Sequence, residues 1–412
     1  MKKKKSTLGG SRAWVIWFIA NLIVVFGFNL QTGYAFVNNS MGIELNLTLA
    51  QIAFAGSVYT WVFAISQFFS GSILDVFSVR KIFPLSVLLV LIGAYLFANA
   101  SSLQSLVFAQ IFLALGASFG FVGAGFIGGL WFGFSKFGIM FGLTQTFVSL
   151  GSFVGGVIFS NLIENGASWS EVLDYMVYFG IVVLILTLLF IEDPINSKDR
   201  EHKKINKKFF IDILKSIVKV AKKRSIIVSA CSGGITFGVF LAMAVLWAPK
   251  LIMAHGFSEI DAGMLTSWLW VGLATGALFV NTISNKLKSR RFTMMLFGFI
   301  QAISLTIIIY INTESTILMG AIMFLFAVSS SGHMLAFTVG GEVVKLKFIA
   351  TSSAVINGTM YLFGGFVIWF LGEFLHGNTL NHFQDALISM PILLVIASLM
   401  VYLMKESFTK SR

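Results

Sequence analysis

The chain has 412 residues, of which 57% are hydrophobic and only 11% are charged, and its net charge is +12. Its mean hydropathy of +0.90 excludes a water-soluble globular protein, because soluble domains carry about a quarter charged residues. The composition therefore predicts a polytopic membrane protein. The single cysteine, Cys231, excludes an internal disulfide and a cysteine-based metal site, and we expect no metal or other cofactor.

Twelve apolar segments follow one another along the chain. Each is close to the length of about 20 residues that a helix needs to cross a hydrocarbon core of about 30 Å. The sequence therefore predicts an all-α fold of twelve transmembrane helices. The segments cover approximately residues 14–37, 50–73, 82–99, 104–128, 137–161, 172–191, 226–248, 262–284, 292–311, 315–339, 348–372 and 384–404.

Positive charge is distributed very unevenly between the two sides of these segments. Twenty-eight of the 29 Lys and Arg residues fall on one side, and the exception is Lys250. Since short connections rich in Lys and Arg stay in the cytoplasm, both termini are predicted to be cytoplasmic. The anionic lipid of the inner leaflet is the predicted partner of this charge, and no nucleic acid is needed to explain it.

The two halves of the chain resemble each other at an offset of 209 to 211 residues. This offset aligns charged and polar residues of the connections, which a chance similarity of apolar helices does not explain. We therefore predict two pseudo-symmetric six-helix bundles, residues 1–191 and 226–412, an organisation typical of transporters. The aligned pairs include Asp75 with Asn285, Arg80 with Arg290, Lys81 with Arg291, Glu164 with Glu373 and Asp174 with Asp385.

Residues 192–225 form the predicted linker between the bundles. Over residues 207–224, Lys208, Lys215, Lys219 and Lys222 recur at helical spacing while apolar residues fill the other face. This pattern predicts an amphipathic helix that lies along the inner leaflet of the membrane. A helix that binds a protein partner, of the kind calmodulin recognises, has the same pattern and is the alternative interpretation.

The connection after the second segment carries the most specific motif. It contains Gly71, Asp75 and the basic pair Arg80 and Lys81, which resembles the G-x-x-x-D-R-x-G-x-R-K motif of the major facilitator superfamily. Val76 and Ser78 depart from the motif. The resemblance implies that Asp75 approaches the N-terminus of the eleventh helix and helps to close the cytoplasmic side; an ordinary solvated carboxylate is the alternative. The implied gating residues are Gly71, Asp75, Arg80, Lys81, Asn285, Arg290 and Arg291.

The resemblance extends to other segments. Residues 121–123, 130–132 and 141–144 are similar to segments of bacterial carriers of amino acids or nucleosides. Two features depart from other branches of the family: Gln110 occupies a position where many members carry a proton-coupling Arg, and the fifth segment lacks the Gly-Pro pair of drug/proton antiporters. Drug efflux by antiport is therefore disfavoured.

In this family the solute occupies a central cavity lined mainly by helices 1, 4, 7 and 10. Polar and aromatic residues near the middle of the segments are the candidates for binding the solute, although each can instead serve helix packing. The absence of Lys and Arg near mid-membrane favours a neutral, zwitterionic or weakly charged solute. The predicted binding residues are Asn29, Gln31, Tyr34, Tyr59, Gln145, Thr236, Trp268, Trp270, His333 and Asn357.

Three titratable residues are candidates for proton coupling. An imidazole has an intrinsic pKa near neutrality, which makes His333 a candidate proton carrier, but a hydrogen bond to Ser329, Ser330 or Ser331 on the same helix would give it a purely structural role. Asp174 and Asp385 lie at the starts of the sixth and twelfth segments, where solvated helix ends are the alternative interpretation.

Together these features predict a secondary active transporter of a small organic solute, such as an amino acid, a nucleoside or a similar nutrient. We expect a monomer in a bacterial inner membrane that imports its solute with protons by alternating access. Export of a metabolite, siderophore or drug, and a sensor that binds without transporting, are the alternatives. The sequence contains no His-Glu-x-x-His motif, and we do not expect an enzyme.

Overall fold

The structure is a computed structural model, and it describes residues 9–133, 137–193, 207–345, 348–375 and 377–408. Within these ranges, the side chains at positions 72, 75, 76, 137–139, 207, 349 and 350 lie outside the description. Residues 194–206 of the predicted linker lie outside it as well.

Twelve helices in the described ranges are long and apolar enough to cross a membrane, which confirms the prediction of an all-α membrane protein. In chain order they are α1 (Ser11–Glu44), α2 (Leu49–Val76), α3 (Val79–Ala98), α4 (Leu103–Phe132), α5 (Phe137–Glu164), α6 (Trp169–Phe190), α7 (Arg224–Ala254), α8 (Glu259–Lys286), α9 (Arg290–Tyr310), α10 (Thr316–Val343), α11 (Ile349–Phe374) and α12 (Leu380–Leu403). We call the end where α1 begins the basic end, and the end where α1 meets α2 the far end.

The helices that begin at the far end are started by short polar side chains. Thr48, Ser102 and Ser168 each form a capping box at the start of α2, α4 and α6, and Ser258 and Ser315 cap α8 and α10. Each cap accepts a hydrogen bond from a backbone N–H that the helix itself leaves unpaired. These caps allow the connections at the far end to be short.

The helices form the predicted pair of six-helix bundles, α1–α6 and α7–α12, which meet through α2 with α11, α5 with α8, and α1 with α7. Glycines allow the close approach of these helices. A Cβ atom at Gly263 in α8 would lie 2.6 Å from Oγ of Ser160 in α5, and one at Gly358 in α11 would lie 2.6 Å from the ring of Phe68 in α2. A Cβ atom at Gly372, near the far end of α11, would meet Ala53 of α2, so the contact between α2 and α11 reaches from the far end towards the basic end.

The linker helix, Lys207–Ala221, packs across the basic ends of α2 and α11. Its Val220 is buried against Ile226 and Val355, and its Phe210 ring lies 5.9 Å from the ring of Phe69 in α2. The linker helix thus contacts both bundles. Four of its apolar residues, Phe210, Ile211, Leu214 and Val218, are exposed, and their contact with the inner leaflet stays a prediction.

Candidate functional site

A cavity lies between the two bundles, near the middle of the helices. Its wall is formed by residues of α1, α2, α4, α5, α7, α10 and α11. Four of the ten predicted solute-binding residues line it: Tyr59, Gln145, His333 and Asn357. None of its lining residues is a Lys, Arg, Asp or Glu.

Two amide side chains present hydrogen-bonding groups in this cavity. Nε2 of Gln145 donates to Oγ of Ser149 at 3.1 Å, and Nδ2 of Asn357 donates to Oε1 of Gln67 at 3.2 Å. In turn, Nε2 of Gln67 donates to Oγ of Ser70 at 2.9 Å. Since Gln67 belongs to α2 and Asn357 to α11, the wall of the cavity is directly hydrogen-bonded across the two bundles.

His333 is held in one orientation by its own helix. Its Nδ1 lies 2.7 Å from the backbone oxygen of Ser330, and its ring packs 4.7 Å from the ring of Phe237. Because a carbonyl oxygen only accepts hydrogen bonds, Nδ1 carries the proton and Nε2 keeps a lone pair when the ring is neutral. The expected hydrogen bond to a serine of the same helix is therefore present and leaves the second nitrogen available.

Six of the predicted binding residues lie outside the wall of the cavity. Two of them make hydrogen bonds that join or stabilise helices: the hydroxyl of Tyr34 donates to the backbone oxygen of Ile52 at 2.7 Å, and Oγ1 of Thr236 donates to that of Ser232 at 3.0 Å. Asn29 packs against Gly155 in α5, and Gln31 is buried with neither amide atom paired among the described residues.

The two tryptophans of α8 have different surroundings. Trp270 is 1% exposed, and its ring lies 5.1 Å from that of Phe28 in α1 and 5.2 Å from that of Phe240 in α7. These three rings form an aromatic layer between the cavity and the far end. Trp268 is 44% exposed and packs on Phe153 of α5, away from the cavity.

Sequence reasoning missed most of the aromatic wall. Phe63, Phe237 and Tyr361 line the cavity, and the ring of Tyr361 lies 4.1 Å from that of Phe63 and 5.6 Å from that of Phe237. Tyr361 follows Asn357 by four residues, so both share one face of α11. The spacing of four residues was therefore a sequence feature that could have predicted Tyr361 as a lining residue. No such feature distinguishes Phe63 and Phe237 from the other phenylalanines, because the chain contains 44 of them.

The other titratable candidates lie away from the cavity. Asp174 is partly exposed near the far end of α6, and Asp385 is exposed near that of α12. Gln110 is 2% exposed, and its Nε2 has no hydrogen bond within the described residues. Of these positions and His333, only His333 contacts the cavity.

At the basic end, the gating candidates of the second bundle form a connected network. Arg290 pairs with Glu342 of α10, Nη2 to Oε1, at 2.9 Å, and its Nη1 donates to Oδ1 of Asn285 at 2.8 Å. Arg291 donates to the backbone oxygen of Tyr402 at 3.2 Å. In the first bundle, Arg80 and Lys81 are exposed, Gly71 lies on α2 near Val122 of α4, and the side chain of Asp75 lies outside the described residues.

A carboxylate caps the third helix of each bundle at the basic end. In the first bundle, Asp193 accepts hydrogen bonds from the hydroxyl of Ser78 and from the N–H of Val79. In the second, Glu406 accepts them from the hydroxyl of Ser289 and from the N–H of Arg290. Each carboxylate therefore lies at the positive end of a helix dipole.

The pKa of Glu406 is lowered. Partial burial acts to raise this pKa, but hydrogen bonds from the Ser289 side chain and from the N–H groups of Phe408, Arg290 and Arg291 together outweigh it. The carboxylate is consequently well adapted to remain ionised in its cap.

Three comparisons relate the chain to known proteins. The family model of the Major Facilitator Superfamily matches residues 17–368. The probable galactarate/D-glucarate transporter GudP of Bacillus subtilis (strain 168) is 24% identical over 284 residues, which are 62% of this chain and 60% of that protein. The riboflavin transporter RibZ of Clostridioides difficile (strain 630) is 24% identical over 159 residues, 38% of this chain and 34% of that protein. Each match thus spans less than two thirds of the relative's length.

The fold is also that of solved transporter structures. A bacterial homologue of the human lysosomal transporter Spinster superposes with a TM-score of 0.75 at 16% identity, over 96% of this chain and 97% of that one. The family match covers most of the chain and indicates a transporter rather than an enzyme. The chain belongs to the Major Facilitator Superfamily.

Proposed function

We propose that the protein is a secondary active transporter that moves a small organic solute by alternating access, with the central cavity as its binding site. The observation that carries this proposal is the position of the cavity. It lies between the two bundles, and its wall combines the polar groups of Gln145, His333 and Asn357 with aromatic rings.

The chemistry of the wall favours an organic solute without a large net charge. The rings of Tyr59, Phe63, Phe237 and Tyr361 offer flat apolar surfaces, and a few amide and imidazole groups fix orientation, as in small-molecule pockets generally. A doubly charged anion would lose its hydration without gaining a cation from the lining residues. Among the named solutes of the relatives, riboflavin is an uncharged organic molecule and supports this solute class, whereas galactarate and D-glucarate are dicarboxylates and fall outside it.

The hydrogen bond between Asn357 and Gln67 offers a link from binding to movement. A solute that bonds to the amide of Asn357 competes with Gln67 of the opposite bundle. The contact between α2 and α11 then changes in strength when the cavity is filled, and a solute shifts a conformational equilibrium only through such a difference. The aromatic layer of Phe28, Trp270 and Phe240 acts as the gate on the far side.

Coupling to protons is assigned to His333 within this proposal. Because Nδ1 is held by the backbone oxygen of Ser330, Nε2 keeps a lone pair that can accept a proton or a hydrogen bond from the solute. We further propose import into a bacterial cell by a monomer, with both termini cytoplasmic and with Asp75, Arg80 and Lys81 gating the cytoplasmic side. The charge asymmetry supports this orientation.

The test is uptake by proteoliposomes of labelled amino acids, nucleosides and sugar acids, with and without an inward proton gradient. We expect accumulation of one solute class, stimulated by the gradient. His333→Ala should abolish the stimulation, whereas Asp75→Asn should slow transport with little change in affinity.

His255→Ala is the matched control, because His255 is a partly buried histidine at the far end whose Nε2 lies 3.0 Å from the backbone oxygen of Ile308, and it does not line the cavity. This variant should keep the gradient dependence. Folded protein that moves none of these solutes in either direction would refute the proposal.

A further inference from the structure

Lys250 is the one basic residue that breaks the charge asymmetry of the chain. It lies in α7, partly buried and four residues before the far end of that helix. Its side chain lines a crevice between the bundles, bounded by α1 and α5 on one side and by α7 and α8 on the other. The crevice lies beyond the aromatic layer as seen from the central cavity.

The charge of Lys250 is not directly paired in the part of the chain that the structure describes, and Glu259 of α8 attracts it only from a longer distance. The ion pairs within 4.0 Å there are Arg12 with Glu192 and Arg290 with Glu342, and neither involves Lys250. An ammonium group that is partly removed from water without a paired carboxylate is destabilising. A carboxylate brought by a ligand would compensate for this cost.

Two further polar groups in the crevice lack partners. Asn38 is 1% exposed, and its Nδ2 donates to the backbone oxygens of Tyr34 and Ala35, while its Oδ1 has no hydrogen bond to any residue that the structure describes. Ser160 is 6% exposed, and its Oγ has no hydrogen bond within the described residues. Buried polar atoms are rarely left unpaired in a folded protein, so these two indicate a place for a polar ligand.

Negative charge lines the same crevice. Glu164 ends α5 in the first bundle, and Glu259 begins α8 in the second. Both are exposed. Oε1 of Glu259 accepts only a long hydrogen bond, at 3.4 Å, from Nδ2 of Asn39. The crevice therefore combines one partly buried cation with two exposed carboxylates.

We propose that this crevice is a recognition site for a zwitterion of the amino-acid type, before it passes the aromatic layer into the central cavity. Lys250 binds the carboxylate of the zwitterion, and Glu164 and Glu259 bind its ammonium group. The inference rests on the proposed transport function and narrows its substrate class. A simple anion fits less well, because the two glutamates would repel it, and the central cavity lacks charged residues that could make this selection.

The first test measures initial rates of uptake of a mixture of labelled L-amino acids into proteoliposomes. Lys250→Met should raise the half-saturating concentration about tenfold or more, the effect of losing one hydrogen bond between charged groups, with little change in the rate at saturation. Lys250→Arg should restore most of the affinity, and Lys288→Met, which removes an exposed lysine at the basic end, should change nothing. An unchanged half-saturating concentration in Lys250→Met would overturn the site.

The second test uses competitors that lack one charge. Amino-acid methyl esters, which have no carboxylate, should compete at least tenfold more weakly than the parent amino acids with the wild type and about equally with Lys250→Met. Uptake of nucleosides but not of amino acids would overturn the inference and leave the proposed function standing. Folded wild-type protein without flux for any solute would instead count against the proposed function.

Discussion

The basic ends of the two bundles share a carboxylate cap but differ in an ion pair. Both cap their third helix with a carboxylate that follows their sixth helix, Asp193 in one bundle and Glu406 in the other. Only the second bundle adds, within the described residues, an ion pair between its third and fourth helices, formed by Arg290 and Glu342. The corresponding Arg80 of the first bundle is exposed.

The comparison separates a feature that both bundles contain, the carboxylate cap, from one in which they differ, the charged motif. The cap satisfies backbone N–H groups that every helix start leaves unpaired, so the need for it is the same in both bundles. The charged motif is not under that constraint. Asp75 of the first bundle corresponds to the neutral Asn285, which accepts a hydrogen bond from Arg290 at 2.8 Å. The second bundle is therefore fastened internally at its basic end by Arg290.

Loss of the ion pair should give the largest effect. Arg290→Ala removes the partner of Glu342 and the hydrogen bonds to Ser284 and Asn285, and both side chains are largely buried, at 8% and 22% exposure. We expect a loss of about 2 to 3 kcal/mol in the free energy of unfolding, seen as a lower melting temperature in detergent. The matched variant Arg80→Ala should cost under about 0.5 kcal/mol; equal losses would remove the contrast between the bundles.

The cap of the second bundle should depend on pH. Because the pKa of Glu406 is lowered in the folded protein, its stabilising contribution is complete above the ordinary glutamate pKa and is lost as the pH falls through the lowered value. Melting temperatures taken between neutral pH and about pH 3 should therefore converge for wild type and Glu406→Gln at the acid end. A constant difference across that range would show that the charge of Glu406 does not stabilise the cap.

The smallest expected effect concerns the carboxylate cap that the two bundles share. Ser78→Ala and Ser289→Ala each remove one hydroxyl that donates to the capping carboxylate, and Ser289 also accepts from the N–H of Phe292. Each substitution should cost about 1 kcal/mol. Similar shifts in melting temperature would sharpen the comparison, whereas a shift in only one variant would mean that the caps are not equivalent.

The fold followed from the sequence because the bilayer imposes a length and a composition on each helix. Helix ends were predicted less well: α1 reaches Glu44, past the predicted end at residue 37, since the polar Asn38 is buried between helices. A hydropathy profile does not show which polar residues are buried inside a helix bundle.

The candidate site was predicted in part for a related reason. Tyr59, Gln145, His333 and Asn357 were found because polar or aromatic groups at mid-membrane are conspicuous in sequence. Six other candidates were equally conspicuous, and only the rotation of each helix separates Thr236, which bonds to its own helix, from Phe237, which lines the cavity. The low amphipathicity of buried helices leaves that rotation unspecified by the sequence.

The most direct test of alternating access uses the single cysteine of the chain. In a Cys231→Ser background, Met334→Cys places one thiol in the wall of the central cavity, and Leu325→Cys places a control thiol on an exposed, apolar surface of the same helix. The account predicts that a membrane-impermeant maleimide labels Met334→Cys from either side of the membrane, more slowly when the transported solute is saturating, and that it labels Leu325→Cys from neither side. Labelling of Met334→Cys from one side only, with or without solute and proton gradient, would contradict it.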